Sequence, residues 1–291
     1  MKRTLFYGGS SLLAQMWYNE LEDKSKVILT QHKQKLSITN SNIVDINNTS
    51  IESTIKLIEE NQIEILVNCV GLTNVEQCEL DKKNSILLNA EIPSILSKAC
   101  NETKTKLVHI STDHLFNGQK SFYSEIDKTS PLNEYARSKL IGDINVIDSN
   151  KNALIIRSNF FGKGPKHRAS FSDFIINSLA ENKIIELFDD VFYSPIIINE
   201  LVRVVNQLLS SDKSGIYNVV SSEKISKYDF GKLIEKNLNL KKGLIKKAKI
   251  EKRRDLALRP KDMSLSNKKI QDELNINIIP IEKQIKLLNV Y

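Results

Sequence analysis

Apolar residues along the first 150 positions follow two rhythms, and the alternation between them predicts the fold class. Short β-rich apolar runs at Lys2–Tyr7, Lys26–Thr30, Ile63–Val70, Lys106–Ile110 and Ala153–Arg157 read as strands. Between them, longer amphipathic stretches at Leu12–Leu21, Ser50–Asn61, around Ser85–Asn101 and from about Tyr135 read as helices. Strand and helix in alternation imply crossover helices over a parallel sheet, so the predicted class is α/β with a doubly wound sheet. Ligands in such sheets sit at the carboxyl ends of the strands, which makes the residues just after each strand the informative ones.

Beyond Arg157 the rhythm loosens. Phe171–Glu181 and Glu200–Ser210 read as helices and Gly215–Val220 as a short strand. Ser226, with Asp229 three residues on, suits an N-cap, which predicts a further helix over Ser226–Asn237. No repeat, low-complexity tract or Gly/Ser linker separates the halves. Two interleaved domains are therefore predicted: 1–157 with a return near Phe188–Ile198, and mainly 158–291.

Composition narrows the class. With 291 residues, 41% hydrophobic and 26% charged, the chain is neither disordered nor fibrous. No apolar run approaches the roughly 20 residues that cross a bilayer, and Met1–Phe6 lacks a long apolar core and a small-residue cleavage site. A cytoplasmic protein with no membrane partner is the expectation. Cys69, Cys78 and Cys100 are an odd count without a C-x-x-C pair, and fit neither a disulfide framework nor a zinc cluster. Since His32, His109 and His167 show no ligand spacing either, no metal site is expected.

The formal charge of +7 is unevenly spread. Residues 1–150 hold 16 basic and 19 acidic side chains, whereas residues 151–291 hold 26 and 16. The excess peaks between Lys241 and Arg254 and reads either as a solvated face or as a surface attracting a phosphate-bearing ligand. No nucleic-acid motif or aromatic interleaving accompanies it, so no nucleic acid is expected as a partner.

Two clusters carry candidate chemistry. The first strand runs into Gly8-Gly9-Ser10-Ser11-Leu12-Leu13-Ala14, where a dinucleotide-binding turn presents backbone N–H groups to a pyrophosphate. Read as G-x-x-G-x-x-G/A, only Gly8 and Ala14 fit; Ser11 stands at the middle glycine, with a Cβ where backbone usually lies closest to phosphate. The second cluster is Tyr135-Ala136-Arg137-Ser138-Lys139, preceded by Ser111-Thr112-Asp113 after a strand. Tyr and Lys four apart share one helix face, so an ammonium there lowers the phenol pKa from about 10 and makes it a usable acid. A surface helix is the bland alternative for either piece taken alone. The combination of a βαβ opening, Ser-Thr-Asp after a strand and Tyr/Lys some 25 residues later favours chemistry.

With these residues together, the sequence resembles the extended short-chain dehydrogenase/reductase superfamily and, within it, the dTDP-4-dehydrorhamnose reductase group of sugar-nucleotide reductases. The matching stretches run from Val67-Asn68-Cys69-Val70-Gly71-Leu72-Thr73-Asn74 through Asn89-Ala90, Ser111–Gly118 and Tyr123-Ser124-Glu125. They continue through Pro131-Leu132-Asn133, Tyr135 with Lys139, Arg157, Ser194-Pro195, Gly215-Ile216-Tyr217 and Arg259-Pro260. A Rossmann-type fold with a smaller interleaved C-terminal substrate domain is implied.

So is reduction of a sugar-nucleotide 4-keto group in surface-polysaccharide precursor synthesis. The resemblance makes Thr112, Tyr135 and Lys139 the catalytic set. Tyr135 protonates the carbonyl oxygen, Thr112 hydrogen-bonds it, and Lys139 stabilises the tyrosinate and holds the nicotinamide ribose. Gly8, Ser10, Ser11, Leu12, Asp45, Ile46, Cys69, Val70 and Gly71 form the implied cofactor strip, with Asp45-Ile46 beside adenine or, alternatively, an ordinary turn. Thr73, Thr112, Asp113, His114, Phe160 and Arg259 are the implied substrate residues.

Departures from the family pattern include Ser158–Gly162, which lacks a tryptophan near the sugar, and His114 in place of a common tyrosine. His114 contacts substrate or is simply packed, and Arg259 either binds phosphate or ties its loop to the core. Thr30-Gln31-His32-Lys33 carries no acid after the second strand, which predicts NADPH over NADH, with Thr30 and His32 as cofactor residues. A nucleotide-diphosphate sugar is the expected partner and a homodimer an admissible assembly. Two rivals stay open: a dinucleotide-binding regulatory subunit of another enzyme, and an epimerase or dehydratase of the same superfamily.

Overall fold

The computed structural model describes residues 2–32, 34–36, 42–165 and 168–290. Lys33 and His167 lie outside them. In the first half the elements are β1 (Thr4–Tyr7), α1 (Leu12–Glu20), β2 (Val27–Gln31), β3 (Asn42–Asp45), α2 (Ile51–Glu60) and β4 (Ile65–Asn68). Then come α3 (Val75–Leu80), α4 (Lys82–Ile86), α5 (Ile92–Glu102), β5 (Lys106–Ile110), α6 (Glu134–Ser149) and β6 (Leu154–Arg157). A seven-stranded sheet runs in the order Gly215–Asn218, β6, β5, β4, β1, β2, β3. β1 lies between β2 and β4, with Leu5 opposite both Ile28 and Leu66. The chain thus winds outward in both directions from β1, the doubly wound arrangement predicted, and the switch point falls where Gly8 follows β1.

Local chemistry sets several helix ends. Ser50 caps α2 by accepting from the Ser53 N–H, and Ser226 caps the helix Lys227–Asn237 by accepting from Asp229. The stretch expected as one helix near Ser85–Asn101 is instead α4, a π turn over Leu87–Glu91, and α5. Pro93 accounts for the break, because it has no N–H to give the Asn89 carbonyl four residues earlier.

The chain divides into two compact units: 1–112 with 133–156 and 209–216, and 113–132 with 157–208 and 217–291. The return to the sheet expected near Phe188–Ile198 is made by Gly215–Asn218 instead, where the Gly215 N–H donates to the Ala153 carbonyl at 2.8 Å. Ile185–Phe188 pairs in parallel with Ile245–Ala248 in the second unit. Phe188–Ile198 and Gly215–Asn218 each hold a few consecutive apolar residues, so composition did not separate the two destinations. The first unit's core packs Leu5, Ile28, Leu66, Leu107 and Ile155 of the sheet against Leu57, Leu96 and Val146 of the helices. The second unit has an aromatic centre in which Phe230 meets Phe161 and Tyr193 edge-on, at 5.1 and 5.8 Å between ring centroids.

Candidate active site

The turn after β1 is built for close approach of backbone. Gly8 has φ +87° and a Cβ there would sit 2.8 Å from Val70 Cγ2, while one on Gly9 would sit 2.8 Å from the Thr30 carbonyl oxygen. Ser11 is the N-cap of α1, its Oγ accepting from the Ala14 N–H at 3.1 Å. Its side chain therefore satisfies the helix end rather than crowding the turn. Within this turn the tight positions are Gly8 and Gly9, not the one Ser11 occupies.

Thr30 is buried, and its Oγ1 accepts from the Gly8 N–H at 2.8 Å, so this hydroxyl shapes the turn from within. Ser10 and Leu12 are half-buried beside it, and Leu12 and Leu13 open α1, where first-turn N–H groups have no intrahelical acceptor. A glycine turn that admits no Cβ, followed by donors facing out of a helix start, fits a dinucleotide pyrophosphate.

The other residues of the expected cofactor strip lie along neighbouring strand ends. Cys69 donates its N–H to the Tyr7 carbonyl at 2.9 Å, and burial pushes its thiol up to about 12. The Val70 N–H donates to Asn68 Oδ1, and a Cβ on Gly71 would sit 3.0 Å from Asn89 Oδ1. Asp45, at the end of β3, accepts from Gln31 Nε2 at 3.1 Å and pairs with Lys35, which holds its carboxyl below the usual range. Ile46 follows it, and a pocket of about 290 Å³ opens beside the two against Tyr7, Asn48 and Leu57. His32 is exposed just past β2.

Tyr135 and Lys139 sit on one face of α6, whose N-cap Asn133 accepts from the Ala136 N–H at 2.9 Å. Lys139 is 4% exposed and its Nζ donates to the Ile110 carbonyl at 2.6 Å, which ties it to the end of β5 two residues before Thr112. Burial lowers the Lys139 ammonium to about 8, against the opposing pull of Asp143 and Cys69. Thr112 and Tyr135 are both buried. An ammonium fixed beside a strand end, on the face that also carries a phenol, can shift a proton toward a bound carbonyl oxygen.

Two residues outside the expected site set, Asn89 and Ser138, brace the first turn of α6. Asn89 Oδ1 accepts from the Leu72 N–H at 2.8 Å, while its Nδ2 donates to the Leu72 carbonyl and to Ser138 Oγ, both at 3.0 Å. Ser138 Oγ also donates to the Tyr135 carbonyl. This one amide joins the loop after β4 to the turn of α6 that carries Tyr135. Its signal was the Asn89-Ala90 pair before Pro93.

The RmlD substrate-binding-domain model matches residues 1–289. The chain belongs to that family. Agl14 of Haloferax volcanii, a probable low-salt glycan biosynthesis reductase, is 25% identical over 97% of this chain and 95% of its own length. The dTDP-4-dehydrorhamnose reductase of Aggregatibacter actinomycetemcomitans is 24% identical over 100% of this chain and 99% of its own. A dTDP-4-dehydrorhamnose reductase from Bacillus anthracis, crystallised in complex with NADP, superposes with a TM-score of 0.86 at 22% identity, covering 99% of each chain.

The second unit of this RmlD-family chain gathers the remaining expected substrate residues except Thr73, which is exposed after β4 in the first. Asp113 is buried and accepts from Asn159 Nδ2 at 2.8 Å. His114 lies 4.0 Å from Asp113, and burial lowers its pKa while Asp113 raises it, leaving the imidazole neutral near pH 7. Phe160 is half-buried in a short strand paired with Ile196–Ile197. Arg259 is half-buried and donates to the Ala257 carbonyl at 3.1 Å, a bond within its own loop. Lys227, unremarked in the sequence, lies 3.2 Å over the Tyr193 ring, and burial lowers its ammonium to about 8. Among the described residues no group of three His, Cys, Asp or Glu side chains could hold a metal ion, and no helix is long and apolar enough to cross a membrane.

Proposed function

We propose that this protein is an NADPH-dependent reductase of the 4-keto group of a nucleotide-diphosphate deoxysugar, acting in the cytoplasm to make precursors of a surface polysaccharide. The observation that carries the reading is the Lys139 ammonium anchored on the Ile110 carbonyl, on the α6 face that bears Tyr135. The named activity of full-length relatives supports it. Thr112 holds the sugar carbonyl oxygen by a hydrogen bond, Tyr135 gives that oxygen its proton, and Lys139 steadies the tyrosinate left behind. NADPH, when bound, supplies the hydride that the carbonyl carbon accepts. Gly8, Ser10, Ser11 and Leu12 hold its pyrophosphate and Asp45-Ile46 its adenine. Asp113, His114, Phe160 and Arg259 are the sugar-nucleotide residues of the second unit.

A turnover screen of 4-keto sugar nucleotides, followed by NADPH oxidation at 340 nm, tests the reading. Turnover of at least one substrate, with NADPH bound more tightly than NADH, is expected. Tight dinucleotide binding with no reduction of any sugar nucleotide would favour a regulatory subunit instead.

A further inference from the structure

Tyr135, Lys139 and Asp143 recur every four residues, so one face of α6 carries a phenol, an ammonium and a carboxylate in line. Asp143 is 1% exposed, and it faces His109 of β5, which is fully buried. Asn68, at the end of β4, orients that imidazole. Its Oδ1 accepts from the Val70 N–H at 3.0 Å, so its Nδ2 donates to His109 Nδ1 at 3.1 Å. The imidazole proton is then on Nε2, 3.6 Å from Asp143 Oδ1. A chain of buried polar groups thus runs from the strip after β4 through His109 to Asp143, one helical turn from Lys139.

We propose that Asp143, oriented through Asn68 and His109, is the counter-charge that keeps the Lys139 ammonium charged and in place for the reaction; Asp143 and His109 are positioning residues. Among the described residues, the ionisable groups facing Lys139 are Tyr135 and Asp143 on α6, His109 on β5 and Cys69 after β4. Cys69 stays a thiol because burial pushes it up to about 12. His109 stays neutral because burial and Lys139 both push it down, against Asp143. Asp143 is therefore the group in this set that brings a full negative charge. The hydrogen bond from Lys139 goes to a neutral carbonyl, and a buried ammonium with no nearby anion loses its proton instead of bearing the desolvation cost. His109 does not need the carboxylate for its own charge, and at 3.6 Å their contact is longer than a good hydrogen bond.

This inference rests on Lys139 acting in catalysis, and its test separates the two. Asp143→Asn removes the charge and little volume; Asp143→Ser does the same should the first variant fail to fold. Losing the carboxylate lets burial lower Lys139 further, so the alkaline fall in kcat/KM near pH 8 is expected to move to lower pH by about one unit. That is about a fivefold loss at pH 8, approaching tenfold above about pH 9, with kcat affected and thermal stability little changed. The Lys139 Nζ resonance of ¹⁵N-lysine-labelled protein, titrated without cofactor or substrate, is expected to shift its midpoint in the same direction. An unchanged midpoint and pH profile with only a lower Tm would overturn the proposal and leave Asp143 a packing residue. A Tyr135→Phe variant with full turnover would refute the catalytic reading, whereas the Nζ midpoint would still decide what Asp143 does to Lys139.

Discussion

Replacing Gly142 with Ala should reverse the usual effect of that change. In the middle of a helix, Gly→Ala ordinarily stabilises by about 1 kcal/mol. Here a Cβ would sit 2.1 Å from the Asn89 carbonyl oxygen and 3.3 Å from its carbon, both main-chain atoms with no rotamer to change. Asn89 cannot easily retreat: its side chain is held by Leu72 and Ser138, and Asn145 Nδ2 reaches the next carbonyl, that of Ala90, at 3.3 Å. Its carbonyl lies open to this approach because Pro93, four residues on, has no N–H to occupy it. Carbon–oxygen contacts settle near 3.3 Å, so α6 and the π turn must part by roughly 1 Å.

Overpacking of this kind costs about 1–3 kcal/mol, which outweighs the propensity gain and lowers Tm by about 2–4 °C for each kcal/mol of net loss. A displacement of about 1 Å in the helix that carries Tyr135 and Lys139 also predicts about a 100-fold loss of kcat. Urea unfolding and steady-state turnover measure the two effects on one preparation. A Gly142→Ala protein as stable as wild type or more so would refute the close approach on which the reasoning depends.

Tyr135→Phe is expected to lower kcat by several powers of ten with an unchanged unfolding curve, since one proton donor is lost and helix packing is kept; near wild-type turnover would exclude Tyr135 as the acid. Gly8→Ala forces a side chain into φ +87° and against Val70, so the NADPH Kd should rise by at least about tenfold in a fluorescence titration, and unaltered affinity would place the pyrophosphate elsewhere. Arg259→Lys keeps the charge and loses the planar fork: a raised KM for the sugar nucleotide with unchanged Tm supports phosphate binding, whereas a lower Tm with unchanged KM makes Arg259 a loop residue.

Local chemistry was legible in the chain itself. The run Lys106–Ile110 is short and β-rich, as a parallel strand buried on both faces is, and Ser50 and Ser226 cap the helices expected after them because a hydroxyl finds N–H groups two or three residues on in any context. Tyr135 and Lys139 share a face by the period of the helix alone, and the family pattern adds Thr112 to the expected site. Tertiary structure decided what those faces meet. That the sheet takes Gly215–Asn218 and not Phe188–Ile198 depends on pairing with β6 across some 60 residues. That Ser11 caps α1 while Gly8 and Gly9 take the tight contacts depends on Val70 and Thr30, far along the chain. Asp143 was one more acid on a helix surface until packing placed it against His109, one turn from the buried Lys139. Spacing determines direction over a few residues; burial and charge partners arise from contacts between distant segments, and no local period encodes them.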